Sequence, residues 1–180
     1  RAGKNLVGAF YQPRRVLCDL DTLATLPSRE HRSGLAEVIK YGAIVDKGLF
    51  SYLEGNFEEL VRRNPRALER VITKCAGIKA GIVSKDEREC GLREILNFGH
   101  TFAHALESAT HYKRFRHGEA VAWGMAAAAI LGREAGITPT EDAARIVALV
   151  RRLASLPRWP RVPAGVLLRA MRRDKKVRGG

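Results

Sequence analysis

Apolar residues fall in short runs over the first twenty positions and recur at three- and four-residue spacing through the rest of the chain. The opening runs, Leu6-Val7-Gly8-Ala9-Phe10-Tyr11 and Arg15-Val16-Leu17-Cys18-Asp19, are β-like and separated by Gln12-Pro13, a pattern that predicts the closing strands of a sheet. Beyond Thr25 the pattern predicts helix throughout. A first helix starts near Pro27 and runs to about Val45. Asn64-Pro65 opens a longer one, with Asn64 as N-cap and Pro65 in the first turn. Its apolar stripe is Leu68, Val71, Ile72, Cys75, Ile78 and Ile82. Further helices are predicted from about Leu92 to Ala109 and from about Gly118 to Ala135, the latter stopping at Gly136. Thr138-Pro139-Thr140-Glu141 reads as a capping box for a helix reaching Leu153, and a last helix covers about Ala164 to Asp174. No internal repeat or low-complexity linker interrupts the series.

Composition narrows the class. A length of 180 residues suits one domain, or one domain and a fragment, and 46% hydrophobic residues can build a core. The longest apolar run, Ala120 to Leu131, falls short of the roughly 20 residues of a membrane span. The chain opens on Arg1 without a signal peptide and is expected to be a piece of a longer protein. Its three cysteines, Cys18, Cys75 and Cys90, make no CxxC pair, so a reducing cytoplasm is expected. The net charge is +13, and the stretch from Arg151 to Gly180 holds ten Lys or Arg against one Asp. Such a tail suits nucleic acid, an anionic small substrate or solvated helix faces. Trp159 is the only Phe, Tyr or Trp there, which makes a poor base-stacking surface.

Several polar residues break the local pattern. Lys79 lies on the apolar stripe, where an ammonium either meets an anion or snorkels at the edge. Glu37 and Lys40 share a helix face within the mostly apolar stretch Leu35 to Val45; their spacing also fits a surface ion pair. His100 and His104 are four apart, so spacing alone pairs them on one metal, while His117 opens the next helix. Capping or core histidines are the competing reading, and His31 and His111 read as surface residues. On one continuous helix Arg93, Asn97, His100 and His104 would form a polar stripe. Joined to Lys79, Lys40 and Glu37, that stripe would line a cationic pocket around a metal, suited to a phosphorylated carboxylate.

The segments Gly3-Lys4-Asn5-Leu6-Val7-Gly8-Ala9-Phe10-Tyr11-Gln12-Pro13, Ser33-Gly34-Leu35-Ala36-Glu37-Val38-Ile39-Lys40-Tyr41-Gly42, Asp86-Glu87-Arg88-Glu89-Cys90-Gly91-Leu92-Arg93, Leu96-Asn97-Phe98-Gly99-His100-Thr101, His117-Gly118-Glu119-Ala120-Val121 and Asp174-Lys175-Lys176 span almost the whole chain. In this order they resemble the 3-dehydroquinate synthase family, NAD- and metal-dependent cyclases of the shikimate pathway. The resemblance implies a mainly α fold: the multi-helix C-terminal domain of an α/β + α enzyme, preceded by a short β remnant. Residues 1–25 would close the N-terminal NAD-binding domain, and residues 26–180 would form the helical metal- and substrate-binding domain.

The same resemblance implies Glu37, His100 and His117 as ligands of Zn2+ or Co2+, in place of the His100–His104 pair. It makes Lys40, Lys79, Arg93, Asn97 and His104 catalytic, Asn5 and one of Lys175 or Lys176 substrate-binding, and Lys4, Thr22, Leu23, Ala24 and Thr25 contacts of NAD. The implied substrate is 3-deoxy-D-arabino-heptulosonate 7-phosphate, converted to 3-dehydroquinate and phosphate. The implied partners are this anionic sugar phosphate and the NAD-binding half, with a homodimer as the candidate assembly. No dinucleotide glycine motif is present here, so the chain alone is expected neither to hold NAD tightly nor to turn over. Another sugar-phosphate cyclase of the superfamily and a basic helical nucleic-acid-binding module are the alternative readings.

Overall fold

A computed structural model of the chain describes residue 11, residues 13–153 and residues 156–172. The predicted run Leu6 to Phe10, the candidates Lys4, Asn5, Lys175 and Lys176, and the predicted helix end at Asp174 lie outside these residues. The second β-like run, Arg15 to Asp19, is described and is not a strand. Among the described residues no strand lies beside it to complete a ladder, and Val16 and Leu17 are exposed.

The chain enters the helical part through a single 3₁₀ turn, Leu20–Leu23, capped by the Asp19 side chain. Seven α-helices follow among the described residues: α1 Ser28–Ile44, α2 Lys47–Val61, α3 Pro65–Lys85, α4 His100–Ala109, α5 His117–Glu134, α6 Thr140–Arg151 and α7 Ala164–Arg172. Their starts follow capping chemistry where the side chains allow it. The Asp46 carboxylate accepts from the Leu49 N–H at 2.8 Å, and Asn64 Oδ1 accepts from Arg66 and Ala67. Gly136 takes φ +69° just past α5, where a left-handed residue ends a helix cheaply.

The axis of the fold is α5. It buries Ala120, Val121, Ala122, Met125, Ala126 and Ala129, and it packs against α1, α4 and α6. A helix with so little polar surface is stable only inside a protein. Around it, Leu35 and Ile39 of α1, Leu53 and Phe57 of α2, and Leu149 of α6 complete the core. The α3 stripe packs as its spacing predicts: Leu68, Val71 and Ile82 are buried, and Ile72, Cys75 and Ile78 lean on the core. Burial, and then the Asp46 charge, push the Cys75 thiol up to about 12, so it behaves as a small apolar group.

Three expectations are corrected. The continuous helix over Leu92–Ala109 is broken into a 3₁₀ turn, Leu92–Asn97, and α4. Phe98 is extended and Gly99 has φ +79°, because the Gly99 carbonyl lies directly against α5. The capping box at Thr138 does not form: Pro139 is the N-cap of α6, and Thr138 is instead tied back to α5, its N–H donating to the Gly132 carbonyl at 3.0 Å. His31 is no surface residue. It is 5% exposed, and its Nε2 meets the Leu60 carbonyl at 2.8 Å, joining α1 to the end of α2.

Much of the positive charge serves internal ion pairs. Arg145 forks onto Glu54 at 2.9 and 2.7 Å, and Arg29 forks onto the buried Glu119 at 2.6 and 2.7 Å. No helix of the described residues is long and apolar enough to cross a membrane.

A methyl group added at Gly124 would stand 2.0 Å from the Gly99 carbonyl oxygen, whereas one added at Gly34 meets nothing within 4 Å. Gly124→Ala is therefore expected to destabilise the chain by about 1–3 kcal/mol through overpacking. Gly34→Ala should be neutral or stabilise by about 0.5–1 kcal/mol through helix propensity. Urea unfolding of both variants checks this, and equal midpoints would refute the packing argument.

Candidate metal centre

Two helix starts and one helix face meet at a single point. Glu37 projects from the middle of α1, His100 is the first residue of α4, and His117 is the first residue of α5. Backbone approaches beside each ligand set the spacing. A Cβ on Gly118 would lie 1.9 Å from the Ser33 carbonyl, and the Gly118 N–H donates to Ser33 Oγ at 3.1 Å. Ser33 is one turn before Glu37, so this contact brings the start of α5 onto the face that carries the carboxylate. The Gly99–Gly124 contact seats the start of α4 on the middle of α5. Glu119 Oε2 accepts from the Arg116 N–H at 2.8 Å while Arg29 of α1 donates to both its oxygens, which locks the first turn of α5.

The ligand atoms of Glu37, His100 and His117 all lie within 4.8 Å of one another. Glu37 Oε1 is 3.7 Å from His100 Nε2 and 3.9 Å from His117 Nε2. These distances are too long for hydrogen bonds. The same Oε1 atom is buried without a hydrogen-bond partner, while Oε2 takes the Lys40 ammonium at 2.5 Å. Lys40 is 4% exposed, so the pair is an interior one and not the surface ion pair its spacing also allowed. An orphaned carboxylate oxygen facing two imidazole nitrogens fits a divalent cation of the zinc type, and the geometry suits three protein ligands with coordination left open.

The outer nitrogens are engaged. His100 Nδ1 stands 3.3 Å from the Phe98 carbonyl and His117 Nδ1 stands 3.2 Å from Glu107 Oε1. Either partner accepts from an Nδ1–H, which leaves the Nε2 lone pair pointing inward. Burial pushes the His100 pKa below the ordinary histidine value, the Lys40 charge adds to this, and Glu37 opposes it. The ring is thus held in its neutral, ligand-competent form around neutral pH.

The remaining candidates fall into two groups. His104 lies beside the cluster, its ring centroid 5.8 Å from that of His100 and 6.2 Å from that of His117, but it is not one of the three grouped residues. Because Gly99 breaks the helix, Arg93 and Asn97 sit on the 3₁₀ turn ahead of α4 and share no helical stripe with the histidines. The Arg93 guanidinium donates to the Glu87 carbonyl at 2.9 Å, and Asn97 Nδ2 donates to Glu89 at 3.1 Å. Lys79 is exposed on α3. Thr22, Leu23, Ala24 and Thr25 form a largely exposed turn, and the Thr22 hydroxyl donates to the Asp19 carbonyl.

Sequence reasoning passed over Ser33, Glu107 and Glu119. A signal existed for Glu107, which stands seven residues after His100 and three after His104, on one helical face. It passed over Asp86 as an organiser as well. The Asp86 carboxylate accepts from the N–H groups of Cys90, Gly91 and Arg93 at 2.7, 3.0 and 2.9 Å, closing the turn that carries Arg93 and Asn97.

A helical domain built around a carboxylate and two imidazoles from different helices is the class of structure seen here. The chain belongs to the 3-dehydroquinate synthase family. Residues 34–177 match the family described as 3-dehydroquinate synthase C-terminal, and residues 1–33 match 3-dehydroquinate synthase N-terminal. The chain is 52% identical over 178 residues to 3-dehydroquinate synthase of Acidithiobacillus ferrooxidans, covering 99% of this chain and 49% of that protein. It therefore spans about half the length of the curated relatives it matches. A 2-deoxy-scyllo-inosose synthase solved with carbaglucose-6-phosphate, NAD+ and Co2+ superposes with a TM-score of 0.82 at 29% identity, over 96% of this chain and 48% of that one. A 2-epi-5-epi-valiolone synthase from Streptomyces hygroscopicus, solved with NAD+ and Zn2+, superposes with a TM-score of 0.77 at 30% identity, over 86% of this chain and 43% of that one.

The Asp86 turn yields a pH prediction. Its carboxyl is held below the ordinary Asp value, first by the Arg93 N–H and then by that of Cys90. The contribution is fully present above the unfolded value of about 3.9 and is lost as pH falls through the lower folded value. Amide exchange at Cys90, Gly91 and Arg93 is expected to lose protection in that acid window, and Asp86→Asn should lose part of it at neutral pH. Protection unchanged in the variant would refute the role.

Proposed function

We propose that the chain is the metal- and substrate-binding half of a 3-dehydroquinate synthase. The substrate would be 3-deoxy-D-arabino-heptulosonate 7-phosphate and the products 3-dehydroquinate and phosphate. The carrying observation is the orphaned Glu37 Oε1 facing the Nε2 atoms of His100 and His117. Glu37, His100 and His117 would hold Zn2+ or Co2+, the ions present in the structural relatives. Identity supports this substrate over those of the other cyclases, at 52% against 29% and 30%.

The bound ion supplies Lewis acidity toward substrate oxygens, and NAD supplies a hydride acceptor that is regenerated in each cycle. Everything else falls to side chains. Lys40 fixes Glu37 through Oε2, so that Oε1 stays turned inward. His104 lies beside the rings of His100 and His117 and would take part in proton transfer. Arg93 and Asn97 lie on the turn that leads directly into His100, where they would grip substrate oxygens beside the ion. Lys79 is an accessible cation for the phosphate or carboxylate end. Asn5 and one of Lys175 or Lys176 would add substrate contacts. Lys4 and Thr22, Leu23, Ala24 and Thr25 would touch NAD, as an edge and not an enclosure. The proposed sequence is oxidation of a hydroxyl, elimination of phosphate, return of hydride, ring opening and intramolecular aldol closure.

Glu37→Gln, His100→Ala and His117→Ala are each expected to abolish stoichiometric zinc retention in the complete enzyme, read by elemental analysis. Normal zinc content in all three would sink the ligand set. Lys79→Ala should keep its zinc and lower kcat/KM by about 10- to 100-fold, the scale of one charged hydrogen bond. Unchanged kinetics would return Lys79 to a solvated position. Product analysis with the named heptulosonate against other sugar phosphates distinguishes this reading from that of a related cyclase.

A further inference from the structure

Glu107 is 9% exposed, and its carboxylate has no Lys or Arg ion-pair partner among the described residues. What it meets is an imidazole: Oε1 lies 3.2 Å from His117 Nδ1. The two residues belong to different helices, and the intervening turn is shaped to bring them together. His111 and Tyr112 take φ of +53° and +56°, two successive left-handed residues that reverse the chain. The Tyr112 N–H then donates to the Glu107 carbonyl at 2.8 Å, which ties the reversal to the residue that faces His117. A strained turn spent on bringing a buried carboxylate to one ring nitrogen asks for a reason beyond packing.

We infer that Glu107 is a positioning residue for the metal centre: it holds His117 as the Nδ1–H tautomer, aims Nε2 at the point faced by Glu37 Oε1, and makes that nitrogen a stronger donor. This rests on the proposed reading of the cluster as a metal site. An ionised carboxylate only accepts, so the proton between the two groups belongs to Nδ1 and the lone pair to Nε2. Partial negative charge on Oε1 raises the electron density of the ring, which a cation on Nε2 rewards. The ion in turn supplies, through the ring, the positive charge that the buried carboxylate otherwise lacks. Metal affinity and the Glu107 contact are thereby coupled.

The test is zinc affinity, measured on the full chain by competition with a chromophoric chelator. Glu107→Gln keeps the volume and can still accept from Nδ1 through its amide oxygen, but it lacks the charge. Glu107→Ala removes both. Zinc is expected to bind about 10- to 100-fold more weakly to the variants, more so to Glu107→Ala. The metal-free melting temperature of Glu107→Gln should not fall, because a buried charge is removed. The visible bands of the Co2+-loaded chain should shift in Glu107→Gln. Unchanged zinc affinity in Glu107→Gln, with or without a lower metal-free melting temperature, overturns the inference and leaves Glu107 a packing residue. If Glu107→Ala fails to fold, Glu107→Gln alone decides. A wild-type chain that takes up no zinc would overturn the metal reading beneath it, an outcome distinct from equal binding by wild type and variant.

Discussion

One carboxylate oxygen governs this structure. Glu37 Oε1 is buried with no hydrogen-bond partner, although its sister oxygen receives a buried lysine and two imidazoles stand just beyond hydrogen-bond range. Leaving a buried acceptor unsatisfied costs at least about 1–3 kcal/mol, more when it is charged. A fold tolerates that cost where a ligand removes it. The separations of 3.7 and 3.9 Å leave room for an ion between oxygen and nitrogen, at the roughly 2 Å bond lengths of a zinc site.

The packing serves that geometry. The start of α5 touches α1 at Gly118 and Ser33, and the middle of α5 touches the start of α4 at Gly124 and Gly99. In both places a methyl group would collide with a carbonyl oxygen. The contacts adjoin His117 and His100 in sequence, and Ser33 stands one turn from Glu37, so small errors in helix separation would pass directly into the positions of these three side chains. The Arg29–Glu119 fork adds an electrostatic stay at the same helix start. Rigid elements around a charged, partly desolvated cluster are what a reaction limited by positioning requires.

Charge is distributed with the same economy. The net charge of +13 suggested a polyanion-binding surface, yet Arg145 and Arg29 fork onto carboxylates within the fold. The cations that matter to the proposed chemistry are few and differ in setting. Lys40 is buried against Glu37, Arg93 is tethered on a 3₁₀ turn, and Lys79 is exposed. The same residue type thus fixes the Glu37 carboxylate in one place and is open to solvent in another.

Periodicity and end signals settled most of the helices. The Asn64-Pro65 start, the α3 stripe, the Gly136 stop and the apolar run Ala120 to Leu131 of α5 are local properties, written in propensity and capping chemistry over a few residues. The motifs around Glu37, His100 and His117 were legible too, through resemblance, whereas spacing alone favoured His104 over His117. What tertiary structure decided was everything that depends on a neighbour distant in the chain. The break at Phe98-Gly99 exists because α5 passes within backbone distance, and it moved Arg93 and Asn97 off the histidine helix. Thr138 abandoned a cap for a bond to Gly132, and His31 went inside because the Leu60 carbonyl waited there. The pairing of Glu107 with His117, and the orphaned oxygen of Glu37, follow from helix positions that no local pattern encodes, since a helix propensity has no knowledge of what packs against it.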